Sequence, residues 1–291
     1  MNKTENKILI TGSNSFVGNE ITKYLSKYNY NIVATYRKNK KFFKSKKIKF
    51  TKIDLNKKIN FKEKFETLVH CASATPANEK RENYNRINEV GFKELLNLCL
   101  KSECSKIILI SSVAVYGDVR KIITEKSPIK GKSKYAKSKI KMEKILSKFT
   151  KKNKVRSIVL RLSQVVGKNS VNNYFSDLKK KISTNKRKRI DLQSKPALFN
   201  NLCHIDDLCI NIKKLLDRNN SRKISEIFNF NSNKPIKITT FKKIIYSLNK
   251  KILFGENNIP KFYKISSNKN KIHNLKFRST VSVIKSTLID S

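Results

Sequence analysis

Short, continuously apolar runs alternate with helical segments through the first 165 residues. Six of these runs have the length of strands, and they are Lys7–Thr11, Asn31–Tyr36, Lys47–Ile53, Thr67–Ala72, Lys106–Ser111 and Val155–Leu162. A strand that is apolar throughout must be covered on both faces, as in a parallel sheet between two layers of helices. The alternation therefore predicts an α/β fold, a doubly wound parallel sheet.

Residues after about 165 alternate less regularly. They include a strand-like segment at 226–231 and a helical segment at Thr239–Asn249. We predict one doubly wound domain over 1–167 and a smaller C-terminal cap over 168–291, with the strand at 226–231 returning to the main sheet. Ligands of such sheets bind beyond the carboxyl ends of the strands, so that edge is where functional residues are expected.

A glycine turn follows the first strand, where a pyrophosphate would meet a helix N-terminus. Gly12 permits a tight turn, and Gly18 permits close packing of the helix on the sheet. The middle position, where a glycine usually lets the backbone approach the phosphate, is Ser15. Ser15 either replaces that approach with a hydroxyl contact or weakens binding. With Phe16 and Val17, these residues are the predicted phosphate-binding turn.

The second strand ends without an acidic residue. An NAD site usually has Asp or Glu there for the ribose 2′-hydroxyl, whereas this chain has Arg37 and Lys38. Two cations at this position favour the 2′-phosphate of NADP, with NAD as the alternative. They are also the first members of a basic run, Arg37–Lys49, and could simply be solvated.

A tyrosine and a lysine four residues apart share one face of a helix, where the ammonium can lower the phenol pKa from its usual value of about 10. Three such pairs occur in this lysine-rich chain: Tyr36/Lys40, Tyr135/Lys139 and Tyr246/Lys250. Only Tyr135 and Lys139 directly follow a strand end that bears a hydroxyl, Ser112. Position therefore selects Ser112, Tyr135 and Lys139 as a catalytic set, with Tyr135 as proton donor or acceptor.

In order along the chain, these motifs resemble those of the extended short-chain dehydrogenase/reductases, also called the NAD-dependent epimerase/dehydratase family. Besides the glycine turn, the matching stretches are Asp54-Leu55, His70-Cys71-Ala72-Ser73, Asn88 in Asn-Glu-Val-Gly, Ser111 to Gly117, Tyr135 to Glu143, Arg161 to Gly167, His204 to Leu208 and Phe228 to Asn231. The resemblance runs through most of the chain and weakens in the cap. It implies a Rossmann-like domain and a substrate-binding cap.

The resemblance also implies roles for individual residues. Tyr135 would be the general acid/base, Lys139 would lower its pKa and hold the nicotinamide ribose, and Ser112 would position the substrate oxygen. The implied cofactor-binding residues are Gly12, Ser15, Phe16, Val17, Gly18, Arg37, Asp54, Leu55, Ala72, Ser73, Asn88 and Lys139.

Three residues are candidates for substrate binding, although each departs from the family pattern or lies in its least regular part. Gln164 stands where many members place an asparagine, and Asn200 falls where nucleotide-sugar epimerases often have an arginine for the diphosphate. Tyr263 lies in the corresponding region of the cap, as does Arg278. These departures leave open a carbonyl substrate that carries no nucleotide.

The chain carries 66 Lys and Arg against 21 Asp and Glu, a formal net charge of +45. Such a charge is typical of polyanion-binding proteins. The basic residues are nevertheless spread along the chain, with denser runs only at Arg37–Lys49 and Lys179–Arg189. We interpret the charge as a compositional bias that also attracts small anionic ligands, and we expect no nucleic-acid partner. A cofactor-binding or RNA-binding protein without catalysis is the alternative.

Five cysteines without a Cys-x-x-Cys motif indicate reduced thiols and a cytoplasmic location. The segment from Cys203 to Cys209 matches no usual zinc spacing, so we predict a buried strand and an Asp-capped helix there, and no metal site. His70 and His204 are interpreted as packed side chains. No apolar run approaches the roughly 18 residues of a membrane span, and no signal peptide is expected.

The sequence therefore predicts an NAD(P)-dependent oxidoreductase or epimerase acting on a nucleotide sugar, by 4-keto reduction or 4-epimerisation. By the resemblance, hydride would pass between the nicotinamide and a sugar carbon. A homodimer packed through the helices near 83–102 and 135–150 is implied by the resemblance only.

Overall fold

The structure is a computed structural model that describes residues 7–38, 45, 47–76, 83–118, 122–171, 173–184, 186–192, 198–218, 224–256 and 263–289. Parts of the basic runs at 37–49 and 179–189 lie outside the described residues, and so does Lys40 of the Tyr36/Lys40 pair.

The strands follow the apolar runs of the sequence closely. Their bounds are β1 Lys7–Thr11, β2 Asn31–Tyr36, β3 Ile48–Lys52, β4 Thr67–His70, β5 Lys106–Ser112, β6 Arg156–Leu162, β7 Gln164–Val166, β8 Lys188–Leu192, β9 Leu198–Phe199, β10 Leu202–His204, β11 Ser225–Phe230, β12 Ile236–Lys237 and β13 Ile252–Glu256.

Seven of these strands form the main sheet, in the order β11-β6-β5-β4-β1-β2-β3. The pairings β1–β2, β1–β4, β2–β3, β4–β5 and β5–β6 are all parallel. The strand order reverses direction between β1 and β4, which is the switch point where such sheets bind ligands. The predicted doubly wound parallel sheet is confirmed.

The helices occupy the segments between the strands. Their bounds are α1 Phe16–Leu25, α2 Phe92–Lys101, α3 Lys134–Asn153, α4 Tyr174–Ile182, α5 Ile205–Asp217, α6 Ile238–Leu248, α7 Asn268–Ile272 and α8 Thr280–Leu288. Two segments are helical but not α-helical. Val113–Tyr116 forms a 3₁₀ turn, and Asn85–Gly91 forms a π-helical segment that runs directly into α2.

The chain divides into two compact units. The first comprises Met1–Asp118, Pro128–Leu162 and Cys209–Phe228, and the second comprises Val119–Ser127, Ser163–Leu208 and Asn229–Ser291. The core of the first unit packs the central strands against α2 and α3, with Leu68, Leu109, Phe92 and Met142 fully buried.

The second unit has a core of its own. Phe175 on α4, Phe199 on β9, Phe241 on α6 and Ile284 on α8 are all fully buried in it. Phe241 contacts both other phenylalanines, with ring centroids 6.0 Å from Phe175 and 5.8 Å from Phe199. Aromatic contacts of this kind add to the stabilisation from buried area, so a few large side chains hold this less regular unit together.

All five cysteines lie in the described part of the chain, and none of them forms a disulfide. Over the same residues, no helix combines the length and the apolar character that a membrane crossing would require.

Candidate functional site

The glycine turn between β1 and α1 has the geometry of a tight strand-to-helix connection. Gly12 has φ +70°, and a Cβ there would lie 2.7 Å from the backbone of Ala72. A Cβ at Gly18 would lie 2.2 Å from the carbonyl oxygen of Gly12. Glycine is therefore required at both positions, because any side chain would strain the turn or separate β1 from the segment after β4.

Ser15 acts as the N-cap of α1. Its hydroxyl donates to the Gly12 carbonyl at 2.8 Å and accepts from the Gly18 N–H at 3.1 Å. The exposed Ser15 thus uses its side chain to close the turn, while Phe16 and Val17 begin the helix. The first N–H groups of a helix lack intrahelical partners and attract anions, so this turn fits the pyrophosphate of a dinucleotide.

The segment after β4 is held by the fully buried Asn88. The Asn88 side-chain oxygen accepts from the Ala74 N–H at 2.8 Å and from the Ser73 hydroxyl at 3.2 Å. Its amide nitrogen donates to the Ala74 carbonyl at 3.3 Å and to the Ser138 hydroxyl on α3 at 2.9 Å. Asn88 therefore links this segment to the helix of Tyr135, and the structure shows it as a bridge within the protein.

The π-helical segment that carries Asn88 was not predicted from the sequence. In the sequence, Ile87, Gly91, Leu95 and Leu98 recur at helical spacing and predict one long helix, whereas regular α-helix begins only at Phe92. A Cβ at Gly91, the last residue of the π segment, would lie 2.6 Å from the Leu55 carbonyl oxygen. Single π turns inside helices often mark functional sites, and here the π turn presents Asn88.

Ser112 ends β5 and caps the 3₁₀ turn that follows, accepting from the Ala114 N–H at 3.2 Å. The next helix, α3, begins after the N-cap Ser133, whose hydroxyl accepts from the Ala136 N–H at 3.1 Å. This cap places Tyr135 in the first turn of α3. The Ser112 hydroxyl lies close enough to the Tyr135 phenol to act on its pKa, so two of the three predicted catalytic residues are neighbours.

Lys139 lies beneath Tyr135, one turn further along α3, with 3% of the residue exposed. Its ammonium donates to the carbonyl of Ile110 on β5 at 3.0 Å and lies 5.8 Å from the centroid of the Tyr135 ring. Ser112, Tyr135 and Lys139 therefore converge at the carboxyl end of β5, which is the arrangement that the sequence predicted.

The electrostatics of the pair differ from the prediction. Burial raises the pKa of Tyr135, the Ser112 hydroxyl opposes that rise, and the nearby Tyr84 adds to it. Burial lowers the pKa of Lys139 to about 8. The pKa of Tyr135 is therefore raised, whereas the sequence predicted a lowered value, because desolvation disfavours the charged form of both residues.

Tyr84 is a site residue that the sequence reasoning missed. It precedes the π segment, and its ring centroid lies 6.4 Å from that of Tyr135, at a tilt of 48°. No motif marks it, since its importance depends on the fold that brings residue 84 to α3. The phenol of Tyr84 adds to the rise in the pKa of Tyr135.

The remaining predicted cofactor residues follow their strands. Arg37 and Lys38 directly follow β2, Arg37 being partly buried and Lys38 exposed. Asp54, after β3, accepts from the N–H of Asn56 at 3.0 Å. Leu55 is buried in the core of the first unit, which makes its side chain a packing residue.

The predicted substrate residues Gln164, Asn200 and Tyr263 lie in the second unit. Asn200 is fully buried, donating to the carbonyls of Ser232 and Ile265 and accepting from the Ile265 N–H at 2.7 Å. Its amide thus already serves as a clamp between segments. The backbone of Tyr263 accepts from the Asn200 N–H at 3.3 Å, and Gln164 begins β7 beside β10.

A second polar cluster surrounds Arg278. Its guanidinium contacts His204 Nδ1 at 2.8 Å, Asp206 at 2.9 Å and Asp207 at 3.3 Å. Both aspartates lie inside the first turn of α5, which begins at Ile205, so the predicted strand and helix are present but the aspartates are not the N-cap. Arg278 is therefore held by carboxylates within its own unit.

Residues 8–230 match the profile described as the NAD dependent epimerase/dehydratase family, more than half of the chain. The chain belongs to this family. The resemblance drawn from the motifs is confirmed.

The named proteins to which this chain is similar have low sequence identity to it and match only part of it. The UDP-glucose 4-epimerase of Pisum sativum is 28% identical over 184 residues, which cover 55% of this chain and 53% of the relative. This chain spans about half the length of the curated relatives that it matches.

Two solved structures show the same fold over nearly the whole chain. MoeE5 in complex with UDP-glucuronic acid and NAD has a TM-score of 0.81 at 17% identity, covering 98% of both chains. The UDP-glucuronic acid 4-epimerase from Bacillus cereus in complex with NAD has a TM-score of 0.81 at 19% identity, covering 98% of this chain and 97% of that chain.

Proposed function

We propose that this protein is an NAD(P)-dependent epimerase or reductase that acts on a nucleotide sugar at C4. The observation that carries the proposal is the convergence of Ser112, Tyr135 and Lys139 at the carboxyl end of β5. A hydroxyl, a phenol and an ammonium at this edge of a doubly wound sheet suit proton transfer to or from a carbonyl or alcohol oxygen.

Each residue has a defined task in this proposal. Tyr135 gives its proton to, or takes it from, the oxygen of the sugar, and the Ser112 hydroxyl orients that oxygen by a hydrogen bond. Lys139 places a cation beneath the phenol, which stabilises the phenolate as it forms. The nicotinamide cofactor, when bound, supplies or accepts hydride. Gly12, Ser15 and Gly18 shape the turn that would hold its pyrophosphate.

The names of similar proteins support the choice of substrate class. The Pisum sativum relative is named as a UDP-glucose 4-epimerase. Both neighbouring structures contain NAD, and the MoeE5 structure also contains UDP-glucuronic acid. Asn200 supplies no cation for the diphosphate, so we expect a basic residue elsewhere in the second unit to contact it. A carbonyl substrate without a nucleotide is the alternative that the buried amide of Asn200 favours.

We also propose a preference for NADP over NAD. The support is chemical, since Arg37 and Lys38 follow β2 where NAD-binding members would usually have an acidic residue. A titration of the purified protein with both cofactors, followed by fluorescence, tests this preference. Tighter binding of NAD than of NADP would contradict it, without affecting the proposed reaction class. A homodimer remains a prediction.

The decisive experiment replaces the phenol. Tyr135→Phe should lower turnover of a UDP-hexose about 10²- to 10⁴-fold, the usual contribution of a positioned acid/base, while cofactor affinity stays near that of the wild type. Tyr246→Phe is the matched control, because Tyr246 belongs to the same type of Tyr/Lys pair and is 50% exposed. Equal turnover by wild type and Tyr135→Phe would contradict the proposal.

A further inference from the structure

A buried ion pair joins α3 to β6 beside the candidate site. Arg161 donates from Nε to both carboxylate oxygens of Glu143 at 3.1 and 3.2 Å, and from Nη2 to Oε2 at 2.7 Å. The two side chains are 4% and 11% exposed. Nη1 of Arg161 also donates to the Tyr116 hydroxyl at 2.8 Å. A pair bound in this forked geometry is rigid as well as strong.

The ion pair reaches the candidate catalytic residues through their immediate neighbours. The Ser111 hydroxyl donates to Glu143 Oε1 at 2.5 Å, and Ser111 directly precedes Ser112 on β5. Glu143 itself lies four residues after Lys139, so both side chains lie on one face of α3. The Glu143 carboxylate therefore fixes the end of β5 that carries Ser112, and it also lies next to Lys139 on α3.

Glu143 also contributes charge at Lys139. The titratable groups that face Lys139 are Tyr135 and Glu143 from α3, and His70 and Cys71 from β4 and the segment after it. Burial lowers the pKa of His70 to about 3 and raises that of Cys71 to about 12, so both are neutral at pH 7. Burial lowers the pKa of Lys139, and Cys71 and then Glu143 oppose that lowering. Since Cys71 is neutral at pH 7, Glu143 is the charged group that favours the ammonium form of Lys139.

We propose that Glu143 is a positioning residue for the reaction assigned above, because it fixes the end of β5 through Ser111 and keeps Lys139 in its ammonium form. Arg161 is the counter-ion that allows a carboxylate to be buried at this place. Since removing one partner of a buried pair leaves an uncompensated charge, the two residues act as a unit. The proposal rests on the proposed function and adds a residue that does not touch the reacting atoms.

The test uses Glu143→Gln, which keeps the size of the side chain and an oxygen for Ser111 but removes the charge. We expect kcat to fall about tenfold to a hundredfold, as for a slightly misplaced catalytic group, with KM for the sugar nucleotide little changed. We also expect the alkaline limb of the kcat profile to move to lower pH. Glu89→Gln is the matched control, since Glu89 pairs with Lys141 of α3 at 2.8 Å, and it should change neither quantity.

A double variant separates positioning from folding. Glu143→Gln leaves Arg161 buried without its counter-ion, so it should unfold at lower urea concentration than the wild type. Glu143→Gln combined with Arg161→Gln removes both charges and should regain part of that stability while kcat stays low. A folded Glu143→Gln protein whose alkaline limb coincides with that of the wild type would overturn the proposal.

A measurement that requires no enzymatic turnover tests the role of Glu143 independently of the proposed function. Trace acetylation at a series of pH values, read by mass spectrometry, reports the titration of Lys139 relative to the exposed Lys144. Glu143→Gln should shift that titration to lower pH, and Glu89→Gln should not. If the wild type converts no nucleotide sugar, the proposed function fails, while an unshifted Lys139 titration overturns the role of Glu143 by itself.

Discussion

His70 is a buried base that lies behind the candidate site. It is 1% exposed, its Nδ1 lies 2.7 Å from the Thr11 hydroxyl oxygen, and its ring stacks on Phe92 with centroids 4.8 Å apart. Burial, and secondarily the charge of Lys139, lower its pKa to about 3. His70 is therefore neutral at pH 7, and it serves as a packed side chain that forms a hydrogen bond.

This lowered pKa predicts a pH dependence of stability. Between about pH 6.5 and pH 3 the unfolded chain binds a proton at His70 that the folded chain does not, so its contribution is complete above pH 6.5 and is lost as pH falls. We expect His70 to account for roughly 2 to 3 kcal/mol of lost stability between pH 7 and pH 4.5.

Urea unfolding of His70→Asn at both pH values measures that contribution. The variant should start less stable at pH 7 but lose less stability on acidification than the wild type, and the half-buried His273→Asn should follow the wild type. An equal loss in wild type and His70→Asn would show that other groups control acid unfolding.

On the scale of elements, α3 has two opposed faces. Its inner face carries Lys139, Met142, Glu143 and Leu146, which contact the sheet side of the first unit. Its outer face is a lysine stripe, made of the exposed residues Lys134, Lys137, Lys141, Lys144, Lys148 and Lys151. These lysines follow one another at intervals of three or four, so each lies next to another cation.

The lysine stripe predicts a stabilising substitution. Like charges three or four residues apart destabilise a helix by about 0.2 to 0.5 kcal/mol per pair, and Lys144 has such neighbours at 141 and 148. Lys144→Glu replaces two repulsions with two attractions, so we expect a gain of about 1 to 2 kcal/mol in urea unfolding at low salt. Lys57→Glu, an equal change of charge at an exposed position outside the helices, should gain less. Equal gains would indicate that only the net charge matters.

The elements also show what could be read from the sequence. β1 and β2 have the predicted bounds, and β5 and β6 differ from prediction by one residue at one end, because a strand buried on both faces is a continuous apolar run. The π segment at 85–91 has no such signature, since it depends on the close approach of Gly91 to the Leu55 backbone. The short strand pairs β7–β10 and β9–β12 also depend on contacts between distant segments.

The candidate site was also predictable only in part. Position relative to β5 selected Ser112, Tyr135 and Lys139, and the structure brings them together. The sign of the pKa shift at Tyr135 was not predictable, because spacing shows the neighbouring charge but not the burial. The closed hydrogen bonding of Asn88 and Asn200 was equally invisible, since their partners lie 14 to 65 residues away along the chain.

For the whole molecule, several of the scarce carboxylates pair with buried or partly buried arginines. Glu143 pairs with Arg161, Glu226 with Arg156 and Arg218, and Asp206 and Asp207 with Arg278. With only 21 Asp and Glu in the sequence, most surface lysines can have no carboxylate partner. The folded chain therefore carries a large self-repulsion that its internal pairs do not relieve.

This repulsion predicts that salt stabilises the protein. The screening length falls from about 30 Å at 0.01 M to about 8 Å at 0.15 M salt, and a net charge of +45 repels itself more in the compact state than in the unfolded chain. We expect Tm to rise by about 3 °C or more, roughly 1 kcal/mol, between about 20 mM and 500 mM NaCl. Differential scanning calorimetry measures the change, and an uncharged solute at equal osmolality controls for solute exclusion. The rise in Tm should be smaller in Lys144→Glu, because this substitution lowers the net charge by two units and removes repulsion on α3. A Tm that is constant or falls with NaCl would mean that the lysines are too well solvated to repel one another across the fold.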